Sequence, residues 1–353
     1  MSRPLRVVQW ATGTIGSRAL RGVIRHPGLE LVGVLVTSPA KEGRDAGDLC
    51  DEPPTGVLAT TDKAKVLELA PDCVLYMPLR WDLDEVVAML AAGINVVTTR
   101  GELLDGGSPL GDEDQQRVLD ACTTGGSSAY ATGSSPGFVS EVLPLALLSI
   151  QRTVERVSIE EFADLSQRPS PELLFDLMGF GAAPESFDPG RAAYLMGEFG
   201  PSLRTVGRAA GHPVDEWSST GEVAVARRAT RIVAGELAAG TVAAQRMTIV
   251  GASGGSEVVR FTANWYCTAD VEPAWDLGAT GWRVRVVGDA PLVVELPFPV
   301  AIEDMAAVSP SYTANRPVNS VPWVCAAAPG ILRTIDLPAI TPAGPCQEPC
   351  ASE

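Results

Sequence analysis

Lysine and histidine are nearly missing from this sequence. Its 353 residues hold three lysines, Lys41, Lys63 and Lys65, and two histidines, His26 and His212. That scarcity removes several chemistries. All three lysines fall in polar stretches early in the chain. Tyr76, Tyr130 and Tyr194 have no lysine four residues on, so a Tyr-x-x-x-Lys proton relay cannot be drawn. His26 sits in a His-Pro-Gly turn and His212 in a Gly-His-Pro loop, and neither has the spacing of a zinc ligand or of a Ser/His/Asp arrangement. Positive charge is short as well: a net charge of −16 would be repelled by nucleic acid or an anionic membrane. The seven cysteines form no CxxC pair, and only Cys346 and Cys350, in a Pro-rich tail, lie close together. No apolar run is long enough to span a bilayer, and the opening MSRPLRVVQW enters a strand pattern without the regions of a signal peptide. The expectation is a soluble, cytoplasmic protein in a reducing compartment, with no metal, nucleic-acid or membrane partner.

What is present is material for two cores, since the length exceeds one ordinary domain and 46% of residues are hydrophobic. The first 135 residues alternate. Strands are predicted at 5–10, 29–36, 73–77, 94–98 and 128–131, and helices at 17–25, 82–92 and 112–123, the first ended by His26-Pro27-Gly28. The strands are short and apolar without polar alternation, as when helices cover both faces of a parallel sheet. This predicts an α/β fold, a Rossmann doubly wound parallel sheet.

The turn after the first strand reads Ala11-Thr12-Gly13-Thr14-Ile15-Gly16, with Ala11 where the dinucleotide fingerprint has glycine, a departure that an ordinary φ is expected to accommodate. Gly13 would let the backbone approach a pyrophosphate, Gly16 would let the helix pack closely, and the helix N-terminus would supply amides. Thr12, Gly13, Thr14, Ile15 and Gly16 are therefore candidate cofactor contacts; a plain tight turn is the alternative. About 20 residues on, an NAD-selective site carries a carboxylate for the adenosine ribose. This chain has Thr37-Ser38-Pro39-Ala40-Lys41 and then Arg44. Ser38, Lys41 and Arg44 suit a 2′-phosphate, which points to NADP with NAD use possible, unless the segment is only a solvated loop. Ligands in such sheets bind beyond the carboxyl ends of the strands, which adds Met77, Pro78 and Thr99 as cofactor contacts.

The same rule singles out Glu102, which follows the strand at 94–98 through Thr99-Arg100-Gly101. With lysine, tyrosine pairs and histidine eliminated, a carboxylate is the candidate acid/base. An apolar cleft would raise its affinity for a proton, so that it could exchange one with an amine or hydroxyl during hydride transfer. A capping or solvated role is the alternative.

After residue 140 the pattern changes to strands at 154–162, 222–225, 242–250, 257–267, 282–288 and 292–298, with helices at 171–178 and 189–210. Alternation in stretches such as EVVRFTANW predicts a second, α+β domain with a mixed, largely antiparallel sheet, of the kind that pairs into a homodimer. Phe138, Phe162 and Trp265 are candidate substrate-binding aromatics, with core packing as the alternative. The expected division is 1–138 for the dinucleotide, 139–308 for substrate and dimerisation, 309–340 returning to the cofactor domain, and 341–353 a disordered tail.

Five segments together carry a resemblance: QWATGTIG at 9–16, LAAGINVVTTRGEL at 90–103, GSSPGF at 133–138, MGFG at 178–181 and TANRPVNSVPWVCAAAPGI at 313–331. They resemble the dihydrodipicolinate reductase-like superfamily, in the branch of 2,4-diaminopentanoate dehydrogenase and the native NAD(P)H-dependent amine dehydrogenases. The His-His pair and following lysine of the true reductases are missing. The resemblance implies that Glu102 is the catalytic glutamate, that Pro136-Gly137-Phe138 marks the domain junction and that Asn319 contacts the nicotinamide. It implies oxidative deamination of an amine and the reverse reductive amination of a ketone or aldehyde with ammonia. Glu160, Glu161 and Asp164 surround Phe162 with no cation in that stretch, which favours simple aliphatic amines over substrates with a carboxylate. An alcohol or semialdehyde dehydrogenase and a non-catalytic NADP-binding sensor are the alternatives.

Overall fold

The computed structural model describes residues 3–188 and 190–342; the tail expected from 341 onward, with Cys346 and Cys350, falls beyond residue 342 outside the described residues. The chain divides into two compact units, residues 1–138 with 310 onward, and residues 139–309.

In chain order the first unit holds β1 (Leu5–Trp10), α1 (Thr14–Arg25), β2 (Leu29–Leu35), β3 (Ala59–Thr60), α2 (Lys63–Glu68), β4 (Cys73–Tyr76), α3 (Leu83–Ala91), β5 (Asn95–Thr98), α4 (Asp112–Gly125) and β6 (Ser128–Ala131). The second unit follows with α5 (Leu143–Leu148), β7 (Val154–Asp164), α6 (Gly190–Ala209), β8 (Glu216–Ala226), β9 (Thr230–Ile232), β10 (Gly235–Leu237), β11 (Val242–Ser253), β12 (Ser256–Tyr266), β13 (Val271–Glu272), β14 (Gly281–Gly288) and β15 (Leu292–Pro297). Helix α7 (Met305–Ala326) and β16 (Gly330–Leu332) complete the chain, and from Pro310 they belong to the first unit.

The first sheet runs β16-β6-β5-β4-β1-β2-β3, parallel throughout. Its central strands are buried along their length: Val7, Val8, Val74, Leu75, Val96 and Val97 are inaccessible to solvent. Side chains that alternate faces can all be apolar only if both faces are covered. Two helices start where the sequence supplies an acceptor: Asp62 takes the amides of Ala64 and Lys65 at α2, and Asp82 takes that of Glu85 at α3. One face of the sheet is covered by α1 and α7. Ala314, Val318, Val321 and Val324 form a helical stripe packed with Ala19 and Val23 of α1 and with Val7, Leu75 and Val97 of the sheet. Pro310, Pro317 and Pro322 lie within α7, which hides this helix from a sequence pattern.

The second sheet is mixed, as expected, with order β13-β8-β11-β12-β7-β14-β15; β12 and β7 are parallel and the other pairs antiparallel. One face packs on α6, whose Leu195, Phe199, Leu203 and Val206 meet Ile159, Ile249, Phe261 and Val284. The rings of Phe199 and Phe261 stack at 3.9 Å between centroids. β8 starts six residues before its expected beginning at 222, because the Ser-Ser-Thr run at 218–220 carries no apolar period. The helix expected at 171–178 is a short π-type stretch, Glu172–Leu177. No helix among the described residues is long and apolar enough to cross a membrane.

Candidate active site

The first unit gathers its chemistry beyond the carboxyl ends of β1, β2, β4 and β5. The chain leaves β1 through Ala11, whose φ is +72°, so the expectation of an ordinary φ is corrected. The left-handed conformation follows from three contacts. The Ala11 amide donates to the Leu35 carbonyl at 2.8 Å, the Ala11 carbonyl accepts from the buried Gln9 amide at 2.8 Å, and Gly16 packs against that same carbonyl. A Cβ on Gly16 would overlap the Ala11 oxygen, which is why the helix can approach only with glycine here.

Gly13 precedes α1, whose first turn has neither a side-chain cap nor an acidic residue. A Cβ on Gly13 would meet nothing within 4 Å. An uncapped helix start beside a glycine with open space around it is what a pyrophosphate uses, so the residues present fit a dinucleotide. Lys41 is drawn into this loop: its ammonium donates to the Thr12 carbonyl at 2.7 Å and to the Thr12 hydroxyl at 3.1 Å. Lys41 therefore fastens the segment after β2 to the glycine loop. Ser38 is exposed and caps nothing, and Arg44 donates to the Asp48 carbonyl at 3.2 Å.

A cavity of about 620 Å³ opens beside these residues, lined among others by Trp10, Thr37, Lys63, Pro78, Arg80 and Trp81. Its wall is ordered by Glu85, which pairs with Lys63 and accepts from the Tyr76 hydroxyl at 2.8 Å. Burial first, and then Glu85, pushes the Tyr76 hydroxyl far above its ordinary range, so it serves as a neutral donor. Arg80 is exposed at the cavity and has no ion-pair partner among the described residues. The Met77 amide donates to the Trp10 carbonyl at 3.0 Å with its side chain buried, while Pro78 and Thr99 remain partly exposed.

Glu102 lies just past β5. The Thr98 hydroxyl accepts the Arg100 amide at 3.0 Å and turns the chain. The Arg100 guanidinium then takes both Glu102 oxygens, Nη2 to Oε1 at 2.5 Å and Nε to Oε2 at 3.2 Å, and spends Nη1 on the Leu79 carbonyl at 3.0 Å. The expectation of apolar surroundings is corrected: a cation holds this carboxylate, whose side chain is 24% exposed. A bidentate fork fixes the carboxylate plane and ties it to the loop after β4. Nothing in the spacing Arg-x-Glu announces that pairing.

Helix α7 contributes a second cation unforeseen in the sequence. Arg316 donates to the Thr132 hydroxyl at 2.8 Å and the Tyr130 hydroxyl at 3.3 Å, binding α7 to the end of β6. Asn319, three residues on, is partly exposed and its amide has no hydrogen-bond partner among the described residues. Phe138 ends the first unit, its amide donating to the Gly133 carbonyl at 2.9 Å. Phe162 and Trp265 lie in the second unit on opposite faces of its sheet. Phe162 is in register with Asn264, the neighbour of Trp265, and successive residues of a strand alternate faces.

Residues 138–344 match the family of the 2,4-diaminopentanoate dehydrogenase C-terminal domain. An amine dehydrogenase of Streptomyces virginiae is 30% identical over 350 residues, covering 95% of this chain and 96% of that protein. Among solved structures, an amine dehydrogenase from Mycobacterium smegmatis is similar with a TM-score of 0.73 at 21% identity, over 96% of this chain and 97% of that one. A probable dehydrogenase from Thermotoga maritima is similar with a TM-score of 0.57 at 12% identity, over 94% and 92% of the two chains. With its Gly-rich turn, uncapped helix and fixed carboxylate on a Rossmann frame, this chain belongs to the 2,4-diaminopentanoate dehydrogenase family and is an NAD(P)-dependent dehydrogenase.

Proposed function

We propose that the protein interconverts amines and carbonyl compounds, by oxidative deamination in one direction and reductive amination with ammonia in the other, using Glu102 as acid and base. The observation that carries this is the Glu102 carboxylate, fixed by Arg100 beyond β5 in a chain without a Tyr-x-x-x-Lys pair or a histidine placed for the task. The amine dehydrogenase of Streptomyces virginiae, similar over nearly the whole chain, supports the same reading.

Thr12, Gly13, Thr14, Ile15 and Gly16 would hold the pyrophosphate, with Met77, Pro78, Thr99 and Asn319 along the remainder of the cofactor. We assign the 2′-phosphate of NADP to Ser38, Arg44 and Arg80, because the segment after β2 offers hydroxyls and cations and no carboxylate at Thr37 or Ser38. Lys41 keeps the loop closed through Thr12. When bound, the nicotinamide supplies or accepts the hydride. Glu102 removes a proton from ammonium, so that ammonia can add to the carbonyl carbon. It then returns a proton to the carbinolamine hydroxyl, which leaves as water and creates the carbon–nitrogen double bond to be reduced. Arg100 orients the carboxylate through each exchange.

The experiment is Glu102→Gln in a panel of ketones, aldehydes and amines with NADPH and NADH, each with and without ammonium. The expected loss of rate is about 10²–10⁴-fold with NADPH affinity unchanged. Normal turnover by the variant would overturn the assignment, and carbonyl reduction indifferent to ammonium would point to an alcohol dehydrogenase instead.

A further inference from the structure

On the α6 side of the second sheet, one carboxylate is built in without a counter-ion. Glu161 of β7 stands in register with Ala263 of β12 and Trp282 of β14. Its two oxygens are each taken by an indole N–H, Oε1 by Trp265 at 3.1 Å and Oε2 by Trp282 at 3.1 Å. Ala263, its neighbour across the strands, is small and fully buried. Phe298 meets the Trp282 ring edge-on at 4.6 Å between centroids. Arg283, next to Trp282 on β14, is committed on the other face, where it pairs with Glu160 at 3.3 Å and Glu295 at 2.8 Å. Among the described residues no cation lies within ion-pair distance of Glu161, and the residue is only partly buried.

Two neutral donors orient a carboxylate without neutralising it. Each oxygen keeps a free lone pair, so the group has the acceptors and the charge for a tetrahedral ammonium head with its three N–H donors. The two indoles that hold it, Trp282 backed by Phe298, give a short alkyl chain an apolar wall. We propose that Glu161, framed by Trp265, Trp282 and Phe298, is a binding site for the ammonium head of a primary alkylamine. The site is argued from the second unit alone. Its test reads binding rather than turnover, so its failure leaves the chemistry of Glu102 untouched, and failure of that chemistry leaves this site standing.

The full-length protein is labelled with ¹⁵N in its tryptophan indoles, and the Trp265 and Trp282 resonances are assigned with Trp265→Phe and Trp282→Phe. It is then titrated with n-butylammonium, with ammonium chloride and with 1-butanol. Both assigned resonances should move saturably with butylammonium, about tenfold less sensitively with ammonium chloride, and not with butanol. Glu161→Gln, which keeps an acceptor and the size of the side chain, should weaken butylammonium at least about tenfold. Indole resonances unmoved by butylammonium would overturn the proposal, as would a Gln variant that binds within twofold of the parent, or butanol acting as well as the amine. Equal sensitivity to ammonium and butylammonium would overturn the alkyl part. If the Gln variant fails to fold, the three titrations of the parent decide alone.

Discussion

The two sheets each have seven strands but use them in opposite ways. In the first unit the parallel strands are short and apolar on both faces, and most of the candidate site residues sit beyond strand ends. In the second unit strands reach 12 residues, one face packs on α6, and polar groups such as Glu161 project from the sheet itself. A sheet covered on both sides has no place for a charge, so its chemistry moves to turns, and turns that must hold a ligand adopt unusual backbone. All four described non-glycine residues with positive φ, Ala11, Asp51, Ala70 and Asp105, lie in the first unit. Stored strain marks one unit and alternation marks the other.

The sharpest test of that contrast is one substitution made in each unit. A Cβ at Gly16 would run into backbone, the Ala11 carbonyl pinned by Gln9; a Cβ at Gly221 of β8 would meet the edge of the Phe187 ring at 2.5 Å, which can turn aside. Gly16→Ala should cost about 3 kcal/mol in urea unfolding, and Gly221→Ala about 1 kcal/mol or less. Titration with NADPH should show a loss of about tenfold or more for the first and no change for the second. Equal costs in the two variants would erase the contrast.

Acid sensitivity should reveal the first unit's dependence on ties between distant loops. The Arg3 guanidinium, with the Arg6 amide, holds the Asp72 carboxyl below its ordinary value of 3.8. Because the folded value is the lower one, the tie stabilises fully above about pH 4 and is lost as pH falls through the depressed value. Asp72→Asn should lower stability at neutral pH by about 1 kcal/mol, a figure discounted for the exposure of Arg3, and should flatten the acid limb. A variant with an unchanged acid limb would show that Asp72 is not a source of it.

The smallest expected effect has the opposite sign. Ala11 is strained by about 1 kcal/mol in its left-handed conformation, and glycine removes that strain at some cost in unfolded-state entropy. Ala11→Gly should therefore stabilise by about 0.5 kcal/mol, visible as a higher urea midpoint with unchanged slope. Destabilisation would mean that the methyl group contributes packing that outweighs the strain.

Alternation of strand and helix was legible in the sequence because each segment of the first unit buries its own face, and burial imposes a local period. Gly16 was legible for a related reason, since its close approach to the Ala11 carbonyl tolerates no side chain. Glu102 could be singled out by position and elimination. Its partner could not: Arg100 reaches both its oxygens and the Leu79 carbonyl only after β4 and β5 are set side by side. The left-handed Ala11 depends in the same way on Leu35 and Gln9, and α7 shows its helical stripe only against α1. Trp265 and Trp282 lie 104 and 121 residues from Glu161 and meet it through strand register. The sequence by itself determined which segments are strands, which turn must stay open and which carboxylate is available. Tertiary structure decided which charges are held and which are left free, because those pairings are fixed by register across the sheets rather than by any local period.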